Sequence, residues 1–546
     1  MTKRTGATAA RRAAGAPPGA APAARATAAA GTPAAGTPDG AALDPAEVRR
    51  FGWYLLVFAL AVAAILSLLS IQLYNGFAFG RYDLGNMVQA VYNTAHGHVL
   101  EVTGADGKQF VRLGAHVDPI LVFFALPWLV WPSPKMLLVL QAVIVAGSVW
   151  PAYRLGLRFL KDVRAAALCA AALLLYPPLQ FTVLNEFHPI TLAIPLLLFA
   201  FLYLEEDRLW WALPFLVLAA ICKEDVPLVI IVMGAYFALR KRAWWPLLIS
   251  AAATAYFLLA VLVVIPHYNP GGSPFINRYT ATGSTPGDVV RELLGNPGTT
   301  AGKLSEWSNV RYLLQLLWPF AFMPVLSPLT ALIALPEYLL NGLSTVVFQR
   351  YISFHYVAAE VPFLFAAALL GIARLHRWLV RRAGARTAAE RGGSRTDKDR
   401  DGKRLGWWRS PLGVRGLALA VLLVALAANY LMGPLPFSLP GAKYTGRAYR
   451  VPSHAKALSG AVDMIPGGVT VSAENNAGSQ LSDRRVIFVF PYMDEAKYIV
   501  VDDRKPFWFD KPNAALHSQA LGQLVLNQAY QSVYALDGVY VFKRVE

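Results

Sequence analysis

The stretch Gly52–Tyr74 reads GWYLLVFALAVAAILSLLSIQLY and contains no charged side chain. An apolar run of this length can cross the ~30 Å hydrocarbon core of a bilayer as one helix. The whole chain shares this character, since 56% of its 546 residues are hydrophobic and only 15% are charged. Soluble proteins carry about 25% charged residues. The sequence therefore predicts a polytopic α-helical membrane protein, and it excludes an ordinary soluble enzyme.

Further apolar segments bring the predicted number of transmembrane helices to about eleven. The additional spans are 135–157, 165–184, 189–204, 209–222, 226–239, 243–266, 309–326, 328–348, 355–373 and 416–432. The segment 117–131 is also apolar, but it is short and is broken by Pro119 and Pro127. We interpret it as an interfacial or re-entrant segment rather than a span.

The net charge of +17 is confined to a few connecting segments. Lys and Arg remain on the cytoplasmic side of polytopic proteins, so these segments set the orientation. Residues 1–50 are predicted to be a disordered cytoplasmic tail, because they are poor in large apolar side chains. Residues 374–415 are predicted to be a disordered cytoplasmic loop, because this connection is long, basic and rich in Gly and Arg. A multi-pass protein of the plasma membrane follows, with its N-terminus inside. Its partner is the lipid bilayer, and nucleic acid is not expected as a partner.

Residues 433–546 have the composition of a soluble α/β domain, and the topology places this domain outside the membrane. Alternating apolar residues predict strands over Val469–Ala473, Val486–Phe490 and Tyr498–Val501. A helix over 514–530 and a hairpin over 533–542, turning at Asp537-Gly538, complete the pattern. No phosphate-binding glycine motif occurs in this region, so no catalysis is assigned to it.

Polar and ionisable residues recur at the predicted outer ends of the spans, within the transmembrane region 51–432. Such groups are costly at membrane level and are therefore functional candidates. The set comprises Tyr82, Asp83, His116, Asp118, Glu186, His188, Lys223, Glu224, Asp225, Arg350, His355 and Tyr356. The spans flanking Lys223–Asp225 are only about 21 Å long at 1.5 Å per residue. This triplet should therefore lie recessed in the membrane and face an outward cavity.

Several of these candidate residues could instead have a purely structural role. Asp83 could simply cap the amphipathic helix that follows it in the first outer loop, residues 75–134. Glu186 could stabilise a helix N-terminus, and Lys223–Asp225 could form a self-neutralising triplet. The aromatic residues after Arg350 could be interfacial anchors. His116 and Asp118 could bind a metal ion, but no recognised ligand spacing is present, so no metal site is predicted and a divalent cation remains open.

Five short motifs, in order along the chain, resemble a known family. They are Tyr82-Asp83-Leu84-Gly85 with Gln89, His116-Val117-Asp118-Pro119, Glu186-Phe187-His188-Pro189, Lys223-Glu224-Asp225 and His355-Tyr356. The segments Leu481–Arg485 and Tyr498–Asp502 also look like family segments. The family is the bacterial membrane proteins of domain of unknown function 2079. It is similar in turn to the GT-C superfamily of polytopic glycosyltransferases, which use polyprenyl-phosphate-linked sugars outside the membrane.

The resemblance implies a GT-C-like fold in which Asp83 acts near the acceptor. Leu84 follows Asp83 where a second acidic residue is often found, which gives no support to a metal site. Glycosyl transfer also requires a base for the acceptor hydroxyl and positive charge at the departing phosphate. We predict Asp83 as that base. Glu186 and His188 are predicted to orient it or the sugar.

Lys223 and Arg350 are the predicted phosphate-binding cations, and the other candidates are expected to contact substrate. The leading hypothesis is a membrane glycosyltransferase that moves a sugar from a polyprenyl-phosphate donor to an extracytoplasmic glycan or glycoconjugate. A transporter or flippase using the recessed charged residues as a path is an alternative. A noncatalytic cell-envelope assembly protein is another.

Overall fold

The computed structural model describes residues 43–273, 275–279, 287–288, 291, 295–389, 411–439, 446–504 and 514–545. Most of the predicted tail and part of the predicted basic loop lie outside these residues. In the tail, the first helix already begins at Pro45. In the loop, one helix runs to Ala389 and another begins at Pro411. Asp44 explains the early start, since its side chain accepts a hydrogen bond from the Ala46 N–H at 2.9 Å.

Helices make up most of the chain before residue 433. In order they are Pro45–Asn75, Asn86–Ala95, Ala125–Val130, Pro134–Ala146, Val149–Leu160, Val163–Leu174, Pro177–Leu184, Ala193–Glu205, Leu209–Ala220, Val226–Lys241, Leu247–Leu259, Ile265–Tyr268, Pro297–Ser305, Trp307–Leu317, Pro328–Ala331, Leu335–Leu343, Val361–Ala389 and Pro411–Met432. Short turns of π-helix lie at Arg81–Gly85 and Ala260–Val264. Several 3₁₀ turns connect the remaining elements.

Five helices within the described residues are long and apolar enough to cross a membrane, and six if the bent pair Val163–Leu174 and Pro177–Leu184 is one span. Other predicted spans are shorter apolar helices, such as Leu209–Ala220. The count of about eleven spans stays a prediction. The segment Pro119–Val130 is likewise a short helix.

Two predicted spans, 309–326 and 328–348, are not continuous helices. The chain there is divided into Trp307–Leu317, Pro328–Ala331 and Leu335–Leu343, separated by 3₁₀ turns. Proline causes the breaks, because it lacks an N–H donor and its ring clashes with the preceding helical turn. Hydropathy alone does not detect such interruptions.

The basic segments predicted to be cytoplasmic meet acidic residues at one end of the helices. Arg164 lies 3.0 Å from Glu47 at the start of the first helix. Arg415 lies 3.0 Å from Asp162, and Glu205 pairs with Arg240 at 2.7 Å. The first helix has 31 residues and spans about 46 Å at 1.5 Å per residue. Its C-terminal end therefore lies far from this charged end.

Among the residues that the structure describes, seven strands form two sheets. A hairpin of β1 (Glu101–Thr103) and β2 (Gln109–Val111), which the sequence analysis missed, follows helix Asn86–Ala95. The second sheet consists of β3 (Val471–Ala473), β4 (Ile487–Val489), β5 (Tyr498–Asp502), β6 (Tyr530–Leu536) and β7 (Val539–Arg544) in the order β4-β3-β5-β7-β6. The β3, β4 and β5 strands are parallel, whereas β7 is antiparallel to both of its neighbours.

The C-terminal elements agree closely with the predicted pattern. Helices His454–Asp463, Asn475–Gly478 and Ala514–Leu526 accompany the sheet. The β6–β7 turn places Asp537 at φ 51° and Gly538 at φ 79°, the positive values that a tight hairpin turn requires. However, Leu43–Glu546 forms one compact unit, so this region packs on the helices rather than standing apart.

His454 joins two strand ends of the C-terminal sheet. Its Nδ1 lies 2.9 Å from Asp537 and its Nε2 lies 3.0 Å from Asp502. Burial would lower the pKa of His454, but hydrogen bonds to the two carboxylates raise it above its usual value. A pKa that is raised on folding stabilises the fold below the unfolded-state pKa of about 6.5, and this contribution is lost as the pH rises through the folded-state pKa.

We therefore expect His454→Gln to lower the melting temperature more at about pH 6 than at about pH 9. The measurement is thermal unfolding of the purified protein at both values. His267→Gln, which changes an exposed histidine, is the control. An equal loss at both pH values would contradict the role of the charged imidazole.

Candidate functional site

A cavity of about 810 Å³ lies where the first outer loop, the helix ends and the C-terminal sheet region meet. Most of the predicted site residues line it. These are Tyr82, Asp83, His116, Asp118, His188, Lys223, His355 and Tyr356. The residues come from five separate parts of the chain, and the structure brings these eight together around one cavity, whereas Glu186, Glu224, Asp225 and Arg350 do not line it.

Asp83 lies in the π-helical turn Arg81–Gly85 rather than at a helix cap. Helix Asn86–Ala95 begins after this turn and has no side-chain cap. The Asp83 side chain is 54% exposed to the cavity, and its Oδ1 lies 3.6 Å from Nε2 of the buried His188. A carboxylate that is not used for capping and that faces a cavity beside an imidazole is available for proton transfer.

Glu186 holds the turn that carries Asp83. Its carboxylate accepts hydrogen bonds from the Gly80 N–H at 3.2 Å and from the Leu84 N–H at 2.7 Å. Glu186 itself adopts φ 60°, a left-handed conformation that is uncommon for residues with a side chain. Of the two roles predicted for Glu186, orienting Asp83 fits these contacts. Contact with the sugar does not, because Glu186 is buried behind the turn.

Asn185 fixes the two cavity histidines in one tautomer. Its main-chain carbonyl lies 2.8 Å from His188 Nδ1, and its side-chain oxygen lies 3.1 Å from His355 Nδ1. The same side-chain oxygen accepts the His355 backbone N–H at 3.2 Å. Both partners are acceptors, so each Nδ1 carries a proton and donates it to Asn185. The imidazole rings stack with their centroids 3.4 Å apart.

The ionisation states of these groups follow from their proximity. Shielding from solvent would raise the pKa of Asp83, but His188 and the more distant Arg112 and His116 together lower it. Burial, and then the charge of Asp83, raises the pKa of Glu186 well above its usual value. Asp83 is therefore the ionised carboxylate of the pair.

Two pairs of side chains stabilise a further part of the cavity lining. Arg112, which the sequence analysis did not identify, pairs with Asp118, with its Nε 2.9 Å and its Nη2 2.8 Å from the same oxygen, Oδ2. Glu224 accepts from His116 Nδ1 at 2.8 Å and from the Val117 N–H at 2.9 Å. Both carboxylates therefore hold cationic or polar neighbours, and the contact of Asp118 and Glu224 with substrate stays a prediction.

Lys223 and Arg278 are cations that line the cavity in addition to Arg112. Lys223 forms an ion pair with Asp225 and its Nζ lies 6.0 Å from the centroid of the Tyr356 ring. Arg278 lies over the Phe275 ring at 4.4 Å, and Phe275 stacks in turn on His116 at 4.3 Å. Within the described part of the chain, Arg278 has no carboxylate partner.

The prediction that Arg350 lines the cavity is wrong. Arg350 is 8% exposed. Its Nη1 donates to the Gly342 carbonyl at 3.2 Å and lies 3.8 Å from Glu306. The 3₁₀ turn Val347–Arg350 directs it away from the cavity, and Phe348 from the same turn lines the cavity instead. Arg278 occupies the place that sequence analysis assigned to Arg350.

The C-terminal sheet region supplies a wall that the sequence analysis also missed. Val489, Phe490, Pro491 and Tyr492, at the end of β4, line the cavity. The first outer loop lies directly against this wall, because a side chain on Gly107 would lie 2.1 Å from the Tyr492 ring. The sequence shows a turn of small residues at Gly107 and an aromatic segment with a proline at Phe490–Tyr492. Nothing in the sequence indicates that these two segments contact each other.

No group of three or more His, Cys, Asp or Glu side chains suited to holding a metal ion occurs among residues that the structure describes. His188 and His355 do not form a ligand pair, because a metal lies near the plane of each imidazole it binds and these two planes stack at 17°.

The fold resembles that of ArnT from Cupriavidus metallidurans. The structure of that protein bound to undecaprenyl phosphate gives a TM-score of 0.51 at 11% sequence identity, over 90% of this chain and 98% of that chain. Its apo structure gives 0.48 at 12% identity, over 91% and 98% of the two chains. At this identity the similarity shows the fold alone, which is like that of ArnT. No curated protein sequence matches the chain.

The sequence profile of the family described as "Predicted membrane protein (DUF2079)" matches residues 73–541. The match covers most of the chain and includes every motif on which the resemblance was based, so the resemblance is confirmed. The chain belongs to the DUF2079 family of predicted membrane proteins.

Proposed function

We propose that this protein is a membrane glycosyltransferase that moves a sugar from a polyprenyl-phosphate donor to an extracytoplasmic acceptor. The observation that carries the proposal is the arrangement of one cavity. Asp83 and His188 lie on one wall, Lys223 and Arg278 line it as cations, and apolar helices surround it. An ionised base and a site for a leaving phosphate are the two requirements of this reaction.

The reaction breaks the bond between the anomeric carbon and the phosphate oxygen and forms a bond from that carbon to the acceptor oxygen. Asp83 takes the proton of the acceptor hydroxyl as that bond forms. The polyprenyl phosphate leaves with the negative charge, and Arg278 and Lys223 stabilise it. Arg278 suits this role because a planar guanidinium binds phosphate oxygens in a bidentate manner.

A lipid-linked donor is supported by where the cavity lies. The long apolar helices and the exposed apolar side chains of the segment Pro119–Val130, such as Leu126 and Val130, would keep a lipid tail in the bilayer while its head group enters the cavity. The ArnT structure with undecaprenyl phosphate bound has the same fold. We assign the cavity end and the C-terminal region, residues 433–546, to the outside of the plasma membrane, and the basic end to the inside.

The test is sugar transfer by the purified protein in proteoliposomes that contain polyprenyl-phosphate sugars labelled in the sugar. We expect release of unlabelled polyprenyl phosphate together with label in an added cell-envelope glycan fraction. Parallel samples with and without a divalent cation determine whether one is required. Movement of label across the membrane without a glycosylated product would instead support the transporter. Neither transfer nor movement would support the noncatalytic assembly protein.

A further inference from the structure

The C-terminal region reaches the turn that carries Asp83 and contacts its backbone directly. The Tyr82 N–H donates to Asn475 Oδ1 at 3.1 Å, although the two residues are 393 positions apart. Asn475 is 1% exposed and begins the short helix Asn475–Gly478. Asn475 therefore holds Tyr82, the residue before Asp83, from one side of the turn. Glu186 holds Gly80 and Leu84 from the other side.

Glycines allow this close approach on both sides of the contact. A side chain on Gly80 would lie 2.4 Å from Asn475 Nδ2, and one on Gly85 would lie 2.6 Å from Ser482 Oγ. A side chain on Gly478 would lie 2.9 Å from Arg81 Cβ. Distances this short leave no room for a methyl group, so the segment 475–482 packs against the backbone of the turn Arg81–Gly85.

Buried hydrogen bonds continue this contact around the turn. Arg81 Nη2 donates to Gln89 Oε1 at 2.6 Å and to the Thr103 carbonyl at 3.1 Å. Gln89 Nε2 then donates to the Arg485 carbonyl at 3.0 Å. The turn, the β1–β2 hairpin and the C-terminal segment thus form one connected polar network. In such a network, loss of one member displaces its neighbours.

Asn475 contributes little to the network apart from the bond to Tyr82. Its Nδ2 is buried with no hydrogen-bond partner in the described residues. A buried amide donor without a partner is unfavourable for stability, so its presence requires another explanation. The acceptor oxygen supplies that explanation, because it orients the peptide that precedes Asp83.

We propose that Asn475 is a positioning residue for Asp83 and that the C-terminal region is thereby a working part of the active site. The inference rests on the proposed function for its catalytic consequence. Asn475 holds the Tyr82 amide and thereby the turn Arg81–Gly85. The position of this turn sets the distance from Asp83 to His188 and to the acceptor. Misplacement of a catalytic group by about 1 Å can lower a rate about 10²-fold.

The test compares Asn475→Ala with Asn527→Ala, whose side chain also accepts one backbone N–H but is exposed and lies away from the turn. Two quantities are measured, the hydrogen exchange of the peptide containing the Tyr82 amide and the kinetics of sugar transfer. We expect exchange to be at least about ten-fold faster in Asn475→Ala. We also expect kcat to fall about 10²-fold with the donor KM nearly unchanged. Asn527→Ala should match the wild type in both.

The exchange measurement keeps the two proposals distinguishable. Unchanged exchange at Tyr82 in Asn475→Ala would overturn the positioning inference, whether or not the protein transfers sugar. Faster exchange with full activity would overturn it as well. If the wild type transfers no sugar, the proposed function fails, whereas the exchange result still decides whether Asn475 holds the turn.

A second pair of variants probes the same contact if Asn475→Ala does not fold. Gly85→Ala should lower kcat, because the new methyl group displaces Ser482. Removal of the Ser482 hydroxyl in the double variant Gly85→Ala/Ser482→Ala should restore part of that loss, with Ser482→Ala alone as the reference. Wild-type kcat in Gly85→Ala, or the same loss with and without the hydroxyl, would count against the inference.

Discussion

Asp83→Asn is expected to lower kcat for sugar transfer by about 10²- to 10⁴-fold, which is the usual contribution of a general base. The amide has nearly the same size but cannot accept a proton from the acceptor hydroxyl. The side chain is 54% exposed and makes no cap, so the substitution should leave the melting temperature nearly unchanged. A large loss of rate with intact stability is the signature of a group that acts on substrate.

The matched control is Asp106→Asn in the same outer loop. Asp106 is exposed, and its side chain accepts only the Lys108 N–H at 3.2 Å in the β1–β2 turn. We expect wild-type kcat and KM for this variant. Both variants are assayed in proteoliposomes with the same labelled donor. Turnover by Asp83→Asn equal to that of Asp106→Asn would remove Asp83 from the mechanism.

The strands of the C-terminal region could be predicted because their signals are local. The run Tyr498–Asp502 and the Asp537-Gly538 turn carry alternation and turn chemistry within a few residues. The order β4-β3-β5-β7-β6 and the docking of Asn475 against Tyr82 depend on contacts between distant parts of the chain. No pattern within a short segment contains that information.

Most residues of the candidate site, like most strands of the C-terminal region, could be predicted from the sequence. Ionisable groups at membrane level are costly, so His188, Lys223 and Asp83 stood out without any knowledge of the fold. The error concerning Arg350 arose because its position was inferred from the end of a predicted span, 328–348, that prolines divide. Arg278 carried only one weak signal, its i,i+3 spacing from Phe275, which suits an arginine lying over an aromatic ring within one helical turn.

Lys223→Met is expected to have the second large effect, on both stability and turnover. Lys223 pairs with Asp225, and both side chains are largely buried, at 16% and 14% exposed. Removal of one member of a buried ion pair leaves the other without compensation and commonly costs about 3–5 kcal/mol. The melting temperature of the purified protein should therefore fall clearly. Turnover should fall as well, because Lys223 is proposed to stabilise the departing phosphate.

A double variant separates the two roles that Lys223 could have. In Lys223→Met/Asp225→Asn the buried charge is removed, so stability should return to a large extent. If Lys223 only neutralises Asp225, activity should return with it. If Lys223 also binds the departing phosphate, kcat should remain about 10²- to 10³-fold below the wild type, the loss typical of removing one group that stabilises charge in a transition state.

The coupling between the two substitutions is measured as the departure from additivity in both melting temperature and kcat. We expect strong coupling in stability and weak coupling in turnover, because stability depends on the pair, whereas the phosphate interacts with the cation alone. Arg278→Lys gives the complementary comparison, since it retains the charge in the cavity but loses the bidentate geometry. Full recovery of kcat in Lys223→Met/Asp225→Asn would reduce Lys223 to a structural residue and leave Arg278 as the phosphate-binding cation.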